Sequence, residues 1–368
     1  MAEWQRVRLG SIAKTNQCTY SPKENWQFVN YLDTGNITMN RIDEIQYINT
    51  VTDNLPSRAR RKVNNNSILY STVRPNQLHY GIVKDHPDNF LVSTGFTVID
   101  VNSEEAVPDY IYYVLTQQEV TEHLQAIAEQ SVSAYPSIKP SDIENLEISL
   151  PDVNTQERTV AILSAIDEKI KQNAKINCNL HNQAQAIYQN MFSSSELPKG
   201  TLSELITVKY GKDHKKLNDG QYPVYGSGGI MRYVEKPLYD KESVLIPRKG
   251  SLNNVMYVNE PFWSVDTMFY TEMKVQNVAK YVFHFLKNSD LVSLNAGSAV
   301  PSMTTDILNR MVIKIPSSDQ LAEFETLVSP LYQSVDSNKK QSASLASLRD
   351  TLLPKLMSGE IDVSKVEL

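Results

Sequence analysis

Between residues 154 and 191 the chain carries a seam in alternating steps of three and four. It runs Leu163, Ile166, Ile170, Asn173, Asn177, Leu180, Ala184, Ile187 and Met191. That spacing predicts one long helix with coiled-coil character. No proline or glycine interrupts it before Pro198, so it should run about 35 residues, or roughly 50 Å. Asn154 and Glu157 have the spacing of a capping box at its start. Asn173 and Asn177 are polar seam positions of the kind that fix register and partner choice. A second seam follows the capping-box pair Ser317 and Gln320: Leu321, Phe324, Val328, Leu331, Val335, Leu345, Leu348, Leu352 and Leu356, interrupted at Asn338 and Ser342. Pro330 predicts a kink or a split in it, because proline removes a helix hydrogen bond. The segment Met357-Ser358-Gly359-Glu360 ends it.

The pattern before each helix is different. Phe28–Leu32, Ser67–Tyr70 and Phe90–Val101 read as strands separated by Asn- and Gly-rich turns, and Pro108 opens a helix carrying Tyr110, Val114, Leu115 and Leu124. After a break at Ser193-Ser194-Ser195 the order restarts. Residues 136–151 and 301–316 align without a gap at an offset of 165, apolar on apolar at Ile143/Leu308, Leu146/Met311, Ile148/Ile313 and Leu150/Ile315. Weaker matches are Leu9/Leu202, Ser67/Ser243, Val92/Val265 and Tyr110/Tyr281, with offsets that shrink from 193 to 171. A shared order with shrinking offsets is what a duplication with shorter loops in the second copy produces.

The fold class expected is α+β: two globular α/β units in tandem repeat, separated by two long helices forming an antiparallel coiled coil with approximate twofold symmetry. The boundaries expected are 1–151 and 196–316 for the globular units, with 152–195 and 317–368 as helical spacers. At 368 residues the length suits two or three domains. Cys18 and Cys178 lie far apart, which fits a reducing compartment and no disulfide framework. With no basic-then-apolar leader and no apolar span, a cytoplasmic location is expected.

Motifs for catalysis are missing. There is no phosphate-binding G-x-x-x-x-G-K-[ST] loop, no G-x-S-x-G elbow, and no metal-ligand spacing among the six histidines. Gly226-Ser227-Gly228-Gly229 reads as a tight turn after the strand Tyr222–Tyr225. Asn259-Glu260-Pro261-Phe262 resembles the N-P-P-[FY] grip of amino-methyltransferases, yet Glu260 replaces a proline and no cofactor loop precedes it, so it reads as a strand-entry turn.

Charge supplies the remaining signal. The net charge is −6, but screening over about 8 Å makes local patches matter more than the total. Arg58, Arg60, Arg61, Lys62, Arg74, Asn76 and Gln77 flank one strand of the first unit. Tyr210, Lys212, His214, Lys215, Lys216, Tyr225, Ser227, Arg248, Lys249 and Ser251 occupy loops of the second. Lys and Arg neutralise phosphates, while Arg, Asn and Gln read base edges. These residues are candidate DNA contacts.

Taken together, the chain resembles the DNA-specificity subunit of type I restriction–modification systems. The resemblance rests on 222–229 (YPVYGSGG), 262–267 (FWSVDT), the two proline-bounded repeats and 348–361 (LRDTLLPKLMSGEI). The first unit departs from the Tyr-Gly-Ser-Gly pattern. The resemblance implies two target-recognition domains, each reading half of a bipartite double-stranded DNA site. The helices, through Leu163, Ile166, Ile170, Leu180, Ile187, Leu345, Leu348 and Leu352, would set the spacer and dock two methyltransferase subunits. Restriction subunits would join. No cofactor is implied in this chain: S-adenosylmethionine belongs to the methyltransferase subunits, and ATP and magnesium to the restriction subunits. The other readings are a coiled-coil scaffold without DNA recognition, and a self-contained methyltransferase or nuclease for which the motifs are missing.

Overall fold

A computed structural model describes residues 4–131, 135–193, 196–294 and 301–366. Part of the expected break, Ser194 and Ser195, lies outside the described residues. The chain divides into two compact units, 1–171 with 341–368, and 172–340. Each unit therefore contains part of both long helices, Val153–Phe192 and Ser318–Met357.

In the first unit one four-stranded sheet has the order Ala13–Thr15, Phe96–Val101, Ile68–Ser71, Tyr80–Ile82, all antiparallel. A second has the order Gln46–Asn49, Phe28–Leu32, Phe90–Ser93, Ala59–Arg61, with a parallel pair at its centre. Ile68, Leu69 and Tyr70 are all buried, so this strand is covered on both faces and shows no polar alternation. The expected helix at Pro108 is two helices, Pro108–Leu115 and Gln118–Glu129. Leu163 from one long helix and Leu353, Leu356 and Met357 from the other join the core around Tyr110 and Leu115. Arg158 donates through Nε to the carbonyl of Val363 (3.0 Å), and Arg349 pairs with Asp167 (2.7 Å).

The second unit repeats the first sheet: Ile206–Tyr210, Met268–Met273, Ser243–Pro247, Met256–Val258. Beside it lies the hairpin Asp219–Gly226 and Gly229–Val234, joined by the two-residue turn Ser227-Gly228, with Trp263–Ser264 parallel to its first strand. Its core gathers Leu202, Val244, Phe269, Tyr281, Phe324 and Val328. Asn338 donates to Asn177 Oδ1 at 2.9 Å, and Tyr188 lies edge-on to Phe324. Within each unit rising numbers on one long helix meet falling numbers on the other, so the helices pair antiparallel.

The duplication extends to individual hydrogen bonds. Leu9 N–H donates to the carbonyl of Leu146, and Leu202 N–H to that of Met311, both at 2.9 Å. Ile138 N–H donates to Thr72 O at 2.8 Å, and Met303 N–H to Arg248 O at 2.9 Å. Thr72 N–H donates to Gly95 O, and Arg248 N–H to Thr267 O, both at 2.8 Å.

Three expectations are corrected. The helix does not split at Pro330; it is continuous over 40 residues. Pro330 is exposed while Phe324, Val328, Tyr332 and Val335 are buried on either side of it, so core packing holds both flanks and the proline lies on the solvent side. The central helix starts at Val153 and is capped by Asp152, whose carboxylate accepts from Thr155 N–H (3.0 Å), not by Asn154. Leu348 is 48% exposed, because Arg349 takes the inward position and turns Leu348 out. The Ser317/Gln320 box forms as expected, with reciprocal bonds of 3.0 and 3.2 Å.

Candidate nucleic-acid interface

In the second unit three loops meet where the strands Ile206–Tyr210 and Ser243–Pro247 end. The first is the Tyr210-Gly211-Lys212 exit. A Cβ on Gly211 would lie 2.0 Å from the carbonyl oxygen of Val265 and 2.6 Å from that of Ser264. Only glycine lets the backbone approach this closely. Lys212 N–H then donates to Ser264 O, and Trp263 Nε1–H to Lys212 O, both at 2.8 Å. Gly211→Ala must push two backbones apart, and overpacking of this kind costs about 1–3 kcal/mol. The expected result is a folded protein with a lowered melting temperature and a displaced Tyr210 loop; an unchanged melt would show that the loop yields freely.

The second loop is the hairpin turn. Ser227 O accepts from Asn254 Nδ2 at 2.7 Å. The third is Arg248 to Asn254. Gly250 there has φ +85°, and a Cβ on it would sit 3.3 Å from Ser227 Oγ. Lys249 bridges to Ser302, and Ser251 O accepts from Asn254 N–H. The Arg248 guanidinium lies 5.4 Å over the ring of Tyr210, which is 52% exposed. Tyr210, Lys212, Ser227, Arg248, Lys249 and Ser251 are thus brought together. Lys215 and Lys216 follow in the turn begun by Asp213, whose carboxyl the Lys215 N–H holds below the usual carboxylate range. His214 O accepts from Leu217 N–H in the same turn. Tyr225 is engaged elsewhere: burial and Glu260 push its hydroxyl up, and it donates to Glu260 at 3.1 Å.

In the first unit Arg58 and Thr72, two residues before Arg74, bond to the turn between Phe90–Ser93 and Phe96–Val101. Thr94 N–H donates to Arg58 O, and Thr72 N–H to Gly95 O. Arg58 also contributes to Asp33: burial pushes that carboxyl up, but bonds from Thr34 N–H, Ser93 and Tyr31 and the Arg58 charge outweigh it, and the result is lowered. Asn76 and Gln77 sit in the one-turn helix Pro75–Gln77, with Asn76 N–H donating to Gln125. The other cations serve structure. Lys62 pairs with Glu24 over Trp26, Arg61 reaches Thr19, and Arg60 donates to Ser57 O.

Of the helix residues, Leu163 is wholly buried, whereas Ile166, Ile170, Leu180, Ile187, Leu345 and Leu352 are half-buried. Among the described residues no group of three His, Cys, Asp or Glu could hold a metal ion. No described helix is long and apolar enough to cross a membrane. Sequence reasoning passed over Tyr135, 60% exposed, which lies 5.4 Å beneath the Arg74 guanidinium. Its one signal was its place directly before Pro136 of the repeat. It also passed over Ile230 and Met231, exposed beside the glycine turn, where a bulge breaks the strand alternation.

The family model for the type I restriction modification DNA specificity domain matches residues 1–182 and again 195–346. The chain belongs to this family. Each match to the specificity domain takes in one globular repeat and most of the long helix that follows it. The chain is 31% identical over 194 residues to the type I restriction enzyme HindI specificity subunit of Haemophilus influenzae, a match covering 52% of this chain and 41% of that one. It is 24% identical over 318 residues to the MjaIX specificity subunit of Methanocaldococcus jannaschii, covering 72% of each. The match therefore spans about two-fifths of the first relative and nearly three-quarters of the second. The solved S subunit of a type I restriction–modification system from M. genitalium superposes with a TM-score of 0.56 at 20% identity, over 97% of this chain and 96% of that one, and shares the specificity-subunit fold.

Proposed function

We propose that this chain is the DNA-reading subunit of a type I restriction–modification complex. Residues 1–151 read one half of a bipartite duplex site and residues 196–316 the other. The helical segments 152–195 and 317–368 set the unread spacer and dock two methyltransferase subunits, with Leu348 offering an exposed apolar contact. The chain is non-catalytic and works in the cytoplasm. Its methyltransferase partners bring S-adenosylmethionine and flip the target adenine, because a base inside a duplex is out of reach of chemistry. Restriction subunits bring ATP and magnesium.

One observation carries the reading: each repeat presents an arginine on the loop that leaves the same strand, Arg74 in one and Arg248 in the other, and the backbone bonds of that loop recur although the arginines occupy different positions of it. Solvated loop charges have no reason to recur on a duplicated frame. A net charge of −6 is compatible with this role, since a local cationic loop end contacts phosphates within the screening length.

The test is co-expression with the methyltransferase subunit of the same locus, followed by genome-wide mapping of methylated adenine. A single bipartite motif with a fixed unread gap is expected. Methylation without such a motif, or no stable complex, would favour the scaffold reading.

A further inference from the structure

We propose that one arginine–tyrosine stack in each unit, Arg74 on Tyr135 and Arg248 on Tyr210, is the guanine reader of its half-site. The inference rests on the DNA-reading function proposed above and names the residues that discriminate bases.

The two pairs share one distance and differ in origin. Each guanidinium lies 5.4 Å from its ring centroid. Each arginine leaves the second-unit strand Ser243–Pro247 or its first-unit counterpart Ile68–Ser71. The positions are not duplicates. By the repeat, Arg248 corresponds to Thr72 and Arg74 to Gly250: Arg74 N–H donates to Pro136 O, and Gly250 N–H to Pro301 O. The tyrosines differ as well, one from the strand Ile206–Tyr210 and one directly before Pro136. Divergent positions have thus arrived at one arrangement in one place, which inheritance of a scaffold contact does not explain.

Backbone geometry supports a demand for the side chain. Arg74 has φ 48° and ψ 72°, in the left-handed region, and its counterpart Gly250 has φ 85°. Glycine is the residue that conformation favours. An arginine kept there, against that preference, is the pattern of a functional position. Both supporting rings are more than half exposed, so the stacks lie at the surface and not in a core. Arg248 Nη1 donates to Asp266 O at 3.1 Å, which orients the fork and leaves its other edge for a ligand.

A guanidinium held over a ring has lost rotamer freedom and presents its N–H donors from a restricted position. That matches the O6 and N7 acceptors of guanine in the major groove, the pairing for which arginine has the best geometry. A flexible lysine suffices for phosphate alone.

Methylome mapping on the co-expressed complex tests this. Arg74→Lys and Arg74→Ala are each expected to lose discrimination at one guanine of one half-site, on the order of 10- to 100-fold, with the other half-site unchanged. Arg248→Lys and Arg248→Ala should do the same in the opposite half-site. Tyr135→Ala and Tyr210→Ala should weaken the same positions, and Tyr→Phe should keep them. The proposal is overturned if the lysine variants keep the wild-type motif, which is the result for phosphate contacts. It is also overturned if all variants lower methylation at every site without changing the motif. A wild-type complex with no bipartite motif sinks the DNA-reading function itself, and thermal melts of the purified variants separate misfolding from lost recognition.

Discussion

Lys280→Ala is expected to cost the second unit about 3 kcal/mol, the lower end for removing one partner of a buried ion pair. The Lys280 side chain is 6% exposed, and Nζ reaches Glu242 at 3.1 Å and Glu325 at 2.6 Å. The same nitrogen lies over the rings of Tyr257 and Tyr332. Tyr257 donates to Glu242, and Ser329 to Glu325. Alanine would leave two carboxylates facing each other without the cation. Both keep some solvent access, at 30% and 23%, so water softens the penalty and the lower figure applies. In a melting curve the loss corresponds to roughly 6–12 °C for a unit of this size. Lys280→Met restores the packing volume and leaves the charges, so it should recover little. Adding Glu325→Gln to it should recover more, since removing both partners costs less than stranding one. A melting shift below 2 °C for Lys280→Ala would show that the cluster contributes nothing to stability.

This cluster explains what the sequence hid. Its members are 38 and 45 residues from Lys280, and no local period marks them. The repeat was legible because backbone architecture constrains apolar spacing: the 165-residue offset reappears as paired hydrogen bonds at Leu146/Met311 and Ile138/Met303. The glycine turn at 226–229 was legible because its residues encode the hairpin locally. Helix details failed where tertiary contacts outweigh local preference. Pro330 stays in a helix held by buried neighbours, and Arg349, pairing with Asp167, displaces Leu348 from the seam. The candidate interface was legible as loops and charges, not as partners. Lys62 and Tyr225 carry the right chemistry, but Glu24 and Glu260 occupy them, at separations no pattern predicts. Tyr135, an exposed ring supporting Arg74, had only its place before Pro136 to single it out.

The equivalent joint between reader and helices has different chemistry in the two units, and pH should separate them. In the first, Tyr113 donates to Asp167 on the central helix at 2.7 Å. In the second, the counterpart of Tyr113 is His284, whose Nδ1 lies 2.8 Å from Gln185 Oε1 and whose Nε2 lies 3.0 Å from the Tyr332 hydroxyl. Gln185 Oε1 only accepts, so Nδ1 carries the proton and Nε2 accepts from Tyr332. The ring is packed by Tyr188, Phe283 and Phe324, and among the described residues no carboxylate bonds to it. Burial, and then His181, push its pKa down to about 4. An unfolded histidine titrates near 6.5. Above that value both states are neutral and the contribution is fully present. As pH falls from about 6.5 towards 4 the unfolded chain takes up a proton that the native one refuses, and stability drops by about 3 kcal/mol in total. His284→Gln keeps a donor and an acceptor but cannot titrate. Its stability-versus-pH curve, from denaturant midpoints, should be flatter than wild type by up to about 1.4 kcal/mol per pH unit in that window. The histidine belongs to the joint of the second unit alone, so acid in this window should weaken recognition of the second half-site, and His284→Gln should delay that loss. Parallel curves for the two proteins would place the histidine in a solvated or flexible site and end this account of the joint.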